Sequence, residues 1–282
     1  MNPAIVKAQV LLDRSIVSPG VIDGFPGGNT TKAIRVFQQL NRLQPSGALD
    51  EPTWTLLTRI TSDPAVATYT ITQADVTGPF VQRIPTKMKA MADLKSLAYR
   101  SPRERLAERF HMDEDLLRAL NPGVDFTRPG TQILVANVRR APSGVKAALI
   151  TVNKRAQSVS AFSRDGRLLA FYPATVGSGE FPSPSGERKV TAIAWNPTFT
   201  YTSRLEYSQG LKPGEGVVIP AGPNSPVGLV WIDLNKRGYG IHGSPDPEKI
   251  GKRASHGCVR LTNWDAQELA QMTEKGTTVR FE

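Results

Sequence analysis

Several things are scarce in this chain of 282 residues, and each scarcity excludes something. There is one cysteine, Cys258, so no intramolecular disulfide can form and the fold is not a stapled scaffold. No apolar run approaches the ~18 residues that a membrane-spanning helix requires. The opening Met1-Asn2-Pro3-Ala4 lacks a basic stretch followed by an apolar one. Either the protein is made without a secretory signal or the chain begins after its removal. The 24 glycines and 22 prolines show no triplet period, which excludes a collagen-like rod. Histidine is rare as well, at three residues.

What is present describes an ordinary globular composition with a basic balance. Lys and Arg number 35 against 25 Asp and Glu, a net charge of +10. That excess suits an anionic partner, whether nucleic acid, an acidic lipid surface or a carboxylate-rich polymer, and it also serves solubility alone. No helix-turn-helix, zinc-finger or RNP pattern accompanies the charge, so a nucleic-acid partner is not expected.

Texture changes along the chain predict a multidomain α+β protein. Residues 1–63 read as a small three-helix module: a helix around Lys7–Asp13, a second capped by Asn29, Thr30 and Thr31, and a third opened by Pro52 at its first position. Residues 67–138 read as a mixed helical region, either a small module of its own or a plain helical spacer. Ser101 and Glu104 form a capping-box pattern there, Leu106 to Leu120 make two short helices, and Thr131–Val135 a strand. His111 in this stretch reads as a surface helix residue. Residues 139–144 read as a linker. From residue 145 to 282 short β-rich runs dominate, with one clear helix at Asn263–Thr273, which predicts a mainly-β, sandwich-like domain.

The chemistry-bearing residues are concentrated. Ile241-His242-Gly243-Ser244 is followed by Ser255-His256-Gly257-Cys258-Val259-Arg260, which brings two of the three histidines close in sequence to the only cysteine. On an extended strand Cys258 and Arg260 share a face, and a cation there favours thiolate and can hold a carboxylate. Three readings compete. His242, His256 and Cys258 accept zinc by atom type, but their spacing matches no established zinc pattern, and neither a metal nor a cofactor is expected. A buried structural cysteine is the second, against which the polar, glycine-rich setting argues. The third is a Cys–His pair in which imidazole activates the thiol.

The C-terminal residues resemble those of an L,D-transpeptidase catalytic domain of the YkuD type. The resemblance rests on the two motifs just quoted, together with Tyr172 to Gly177, Pro184 to Gly186, Asn196-Pro197, Gly222 to Gly228 and Gly276 to Val279. Ile22 to Gly24, Ala33 to Gln38, Gly47 to Asp50 and Thr53-Trp54 resemble a peptidoglycan-binding domain, and Leu106 to Val135 resembles a LysM wall-binding module. The resemblance implies a periplasmic enzyme, its signal peptide removed, acting on meso-diaminopimelate stem peptides of the cell wall. Cys258 would attack the bond between residue three and D-Ala four, with His242 as base. Gly257 and Cys258 N–H groups, aided by His256, would stabilise the oxyanion. Arg260 would position the cysteine and a donor carboxylate, while Ser255, Gly243 and Ser244 would shape the substrate site. The product would be a 3–3 cross-link. Hydrolysis by water, attachment of an envelope protein, and a non-catalytic wall-binding role are the alternatives. Residues 196–226, rich in glycine and proline, are long enough for a lid over the cleft.

Overall fold

The computed structural model describes residues 1–138, 144–177, 183–202, 216–252 and 257–282. Three helices open the chain: α1 (Pro3–Arg14), α2 (Gly28–Leu40) and α3 (Glu51–Thr58). Asp50 caps α3 by accepting from Thr53 N–H at 3.0 Å. The expected cap of α2 is not used. The helix starts at Gly28 behind Gly27 without any side-chain cap, and Asn29 instead donates its side-chain amide to Ile250 O at 2.8 Å.

The next segment runs β1 (Val66–Thr70), α4 (Gln73–Val76), α5 (Met88–Ala92), α6 (Pro102–Arg109), α7 (Glu114–Leu120) and β2 (Gln132–Ala136). β1 and β2 pair antiparallel. Ser101 caps α6 by accepting from Glu104 N–H, but the Glu104 carboxylate reaches back to the N–H of Arg100, one residue earlier than a capping box requires. His111 is not a surface helix residue. It sits past α6 with φ 56°, its Nδ1 3.1 Å from Asp13 Oδ1 and its ring stacked on Trp264 at 5.0 Å.

The C-terminal part contains β3 (Leu149–Asn153), β4 (Ser158–Phe162), β5 (Leu168–Pro173), β6 (Gly186–Trp195), β7 (Phe199–Thr202), β8 (Gly216–Ile219), β9 (Val230–Leu234), β10 (Gly240–His242), β11 (Val259–Arg260), α8 (Asn263–Met272) and β12 (Thr278–Phe281). Among the described residues, in place of the two facing layers of a sandwich, eight strands make one curled sheet in the order β11-β10-β9-β6-β12-β3-β4-β5. Its ends meet: beyond β5, Thr175 and Arg260 exchange backbone hydrogen bonds of 2.9 and 2.8 Å. α8 packs its Ala266, Leu269 and Ala270 face into the cluster formed with Ile150, Val159, Ile232 and Ile241. β7 and β8 pair separately as the described ends of the 196–226 stretch, whose middle lies outside the described residues, as do residues 139–143 of the expected linker.

Two apolar clusters cross the boundaries read from sequence. Leu11, Leu12, Val17, Ile34, Phe37 and Leu57 bury together with Phe171 of β5. Val6, Val10 and Ile22 join Leu106, Leu116 and Ile133 of the middle segment. Backbone hydrogen bonds reinforce the first seam, with Phe171 N–H donating to Ile16 O and Ser18 N–H to Phe171 O.

Candidate active site

β10 and β11 run parallel, with Ile241 level with Val259 and His242 level with Arg260. Because strand side chains alternate, Ile241 and Val259 point into the core while His242 and Arg260 share the opposite face. Cys258 immediately precedes β11, so its residue lies on the same side as Arg260 and one step back from the imidazole. The sulfur donates toward Gly238 O at 3.5 Å in the turn before β10.

His242 is buried and held by two contacts. Its Nδ1 lies 2.7 Å from Gly243 O, which fixes Nδ1 as the protonated nitrogen and leaves the lone pair on Nε2. Its ring stacks on Trp231 with centroids 5.2 Å apart and planes 18° apart. Trp231 is level with His242 on β9 and donates Nε1–H to Asp233 Oδ1 at 3.1 Å. Gly240 makes room for that indole, since a β-carbon there would lie 2.6 Å from a ring carbon. Trp231 was not picked out from sequence; the alternation of Trp231 and Asp233 around buried Ile232 was the available signal.

The electrostatics correct one expectation. Burial, with the Arg260 charge as a smaller contribution, lowers the His242 pKa to about 4, so the imidazole is neutral at ordinary pH. Burial also raises the Cys258 pKa, outweighing the Gly240 N–H and Arg260, which lower it. At rest the thiol and the imidazole are therefore both neutral, with no preformed thiolate. A neutral imidazole of this kind can accept a proton from a thiol only as the thiol reacts.

Arg260 is fixed through its backbone by Thr175, while its buried Nε has no hydrogen-bond partner among the described residues. Gly257 precedes the thiol with φ 108°, and its carbonyl accepts from the buried Ser183 hydroxyl at 2.7 Å. Ser183 also accepts Gly177 N–H at 2.9 Å, tying the cysteine turn to the end of the β5 segment. It is a second residue the sequence did not mark. Ser244 is buried and accepts Asp246 N–H, shaping the turn after β10. Ser255 and His256 lie outside the described residues. Among the described residues no group of three or more His, Cys, Asp or Glu side chains gathers as a metal site.

Residues 147–280 match the L,D-transpeptidase catalytic domain model YkuD, and residues 2–57 match the model for a putative peptidoglycan binding domain. A putative L,D-transpeptidase YkuD of Bacillus licheniformis is 30% identical over 178 residues, covering 62% of this chain and 90% of the relative. The chain belongs to the L,D-transpeptidase family. A probable L,D-transpeptidase, YbiS, of Escherichia coli is 31% identical over 185 residues, covering 64% of this chain and 60% of that protein. Among solved structures, the L,D-transpeptidase from Mycobacterium smegmatis is 20% identical with a TM-score of 0.39, covering 54% of this chain and 66% of that one. The peptidoglycan-binding match takes in α1 to α3, and the catalytic match takes in the curled sheet and α8. No helix among the described residues is long and apolar enough to cross a membrane.

Proposed function

We propose that this L,D-transpeptidase forms peptide cross-links in the cell wall through a thioester on Cys258. The observation that carries the reading is the tethered imidazole of His242, with Nδ1 bound to Gly243 O, on the strand paired to the one that Cys258 precedes. The Cys258 sulfur attacks the carbonyl carbon joining meso-diaminopimelate three to D-Ala four, and Nε2 of His242 takes the thiol proton. Backbone N–H groups at Gly257 and Cys258, with His256, stabilise the tetrahedral oxyanion. Collapse breaks the amide bond, and D-Ala leaves with the proton returned by His242. The side-chain amine of a second stem then attacks the thioester, loses a proton to Nε2 and releases the thiol, giving a 3–3 link.

Arg260 supplies the charge for a donor carboxylate, and Gly243, Ser244 and Ser255 are assigned to substrate binding. Net charge of +10 favours a wall rich in carboxylates. The three expected segments act as wall-binding module (1–63), LysM-like second contact or helical spacer (67–138) and catalytic unit (145–282). Tethering to an insoluble polymer raises the local concentration of stems. The setting is periplasmic.

Mass spectrometry of purified tetrapeptide muropeptides after incubation tests the proposal. A 3–3 dimer, absent with Cys258→Ala, is the expected result. A trimmed tripeptide alone would mean that water resolves the thioester, and a product joined to an envelope protein would mean a different acceptor. No change in the muropeptides would leave a wall-binding protein.

A further inference from the structure

The carbonyl that orients His242 belongs to a residue packed under α8. Gly243 donates its N–H to Val230 O at 3.2 Å, and it lies so close to the Asn263 side chain that a β-carbon would collide with Oδ1. Asn263 is the first residue of α8 and is buried. Its Oδ1 accepts Leu229 N–H at 3.1 Å. Its Nδ2 donates to Pro223 O at 3.1 Å and to the Glu108 carboxyl, with oxygens at 3.0 and 3.3 Å. Both amide protons and the amide oxygen are thereby engaged.

Glu108 comes from α6, outside the segment matched as catalytic, and is itself buried. Without it one Nδ2 proton would be left in the interior with no acceptor. Such a group turns toward a new partner or admits water, because an unmade buried hydrogen bond is costly. Either movement withdraws Oδ1 from Leu229 and loosens the packing on Gly243.

We propose that Glu108 is a positioning residue for the acyl-transfer reaction: its carboxyl locks Asn263, Asn263 locks Leu229 and Gly243, and Gly243 O then keeps Nδ1–H of His242 in place. The proposal rests on the reading of His242 as general base. It gives the middle segment a part in the chemistry with no contact to the substrate.

The test uses the full chain with Glu108→Leu, Glu108→Gln, and Lys32→Ala as a control that cuts a different contact between segments, the one to Gln157 O. Turnover of tetrapeptide muropeptide gives kcat and KM. NMR of protein labelled with 15N-histidine follows the His242 Nδ1–H signal, assigned by its loss in His242→Gln. Glu108→Leu should lower kcat at least tenfold with KM within twofold, and shift or broaden that signal. Glu108→Gln, whose amide oxygen accepts from Asn263, should restore most of the lost kcat and the original signal, and Lys32→Ala should match the parent in both.

A Glu108→Leu protein with parental kcat and an unmoved signal overturns the proposal. Should leucine prevent folding, Glu108→Asp withdraws the carboxyl by one methylene, and parental behaviour in that variant overturns it equally. A parent chain with no turnover refutes the transpeptidase reading instead, and the NMR arm then decides the relay on its own.

Discussion

His242 and Trp231 lie nearly parallel across the β10–β9 pair, at 5.2 Å and 18°. The indole covers one face of the imidazole, and burial is the main reason the His242 pKa falls to about 4. Trp231→Ala should admit water and move that pKa back toward the ordinary histidine value of about 6.5. At pH 5 the variant would then hold a protonated, non-basic ring where the parent remains neutral. The rate of Cys258 acylation against pH should show its acid limb shifted upward by a unit or more, and an unmoved limb would show that the ring is dried by other groups.

Ser183 ties the Gly257 carbonyl at 2.7 Å and so sets the turn that presents the thiol. Ser183→Ala removes that tie and a bond to Gly177 N–H. With a hydrogen bond worth about 1 kcal/mol, kcat should fall roughly fivefold while sacculus binding stays unchanged. Pre-steady-state acylation measures the first and pelleting with sacculi the second.

Leu12 and Phe171 share one apolar cluster, which joins the first helix to the edge strand β5 of the sheet. Leu12→Ala should cost about 2–5 kcal/mol. Because the cluster spans both segments, the loss should appear as one lowered transition for the whole chain in calorimetry. Two transitions with only the first displaced would show that the segments unfold independently.

Glu108 gives stability a pH dependence of its own. Burial raises its pKa to about 8, against bonding by Asn263 and the Arg100 charge, with Glu104 and Glu114 adding to the rise. Tyr99, whose own pKa burial raises, faces the same carboxyl. The folded state therefore binds the proton more tightly than the unfolded state, whose carboxyl titrates near 4.3. The contribution is complete below about pH 4 and is lost as pH rises toward 8. Urea midpoints should fall across that window in the parent and stay flatter in Glu108→Gln.

The candidate constellation is legible in the sequence because chemistry needs particular side chains at fixed spacing. Cys258, His242 and Arg260 stand out in a chain with so few cysteines and histidines, and the family match covers the segment that holds them. Strands β3, β4, β9 and β12 were readable from β-branched runs, whereas β10 and β11 have only three and two residues and carry no periodicity. Asn29 reads as a helix cap by composition, yet tertiary contact with Ile250 O uses its amide instead. His111 looks exposed by neighbourhood but is enclosed by Asp13 and Trp264, each remote in sequence. The expected thiolate failed for a related reason. Arg260 was visible in the sequence, but the desolvation that outweighs it was not.

The meeting of Thr175 with Arg260 reaches beyond the geometry of the site. One rim of the sheet is occupied there, and along the other Phe171 is taken by Ile16 and Ser18. A strand margin with vacant amides invites pairing with any extended chain, including another copy of the same protein. Here the outward backbone groups of Phe171 and Arg260 are already spent within the molecule, so at neither position can an extended chain be zipped on as a ninth strand.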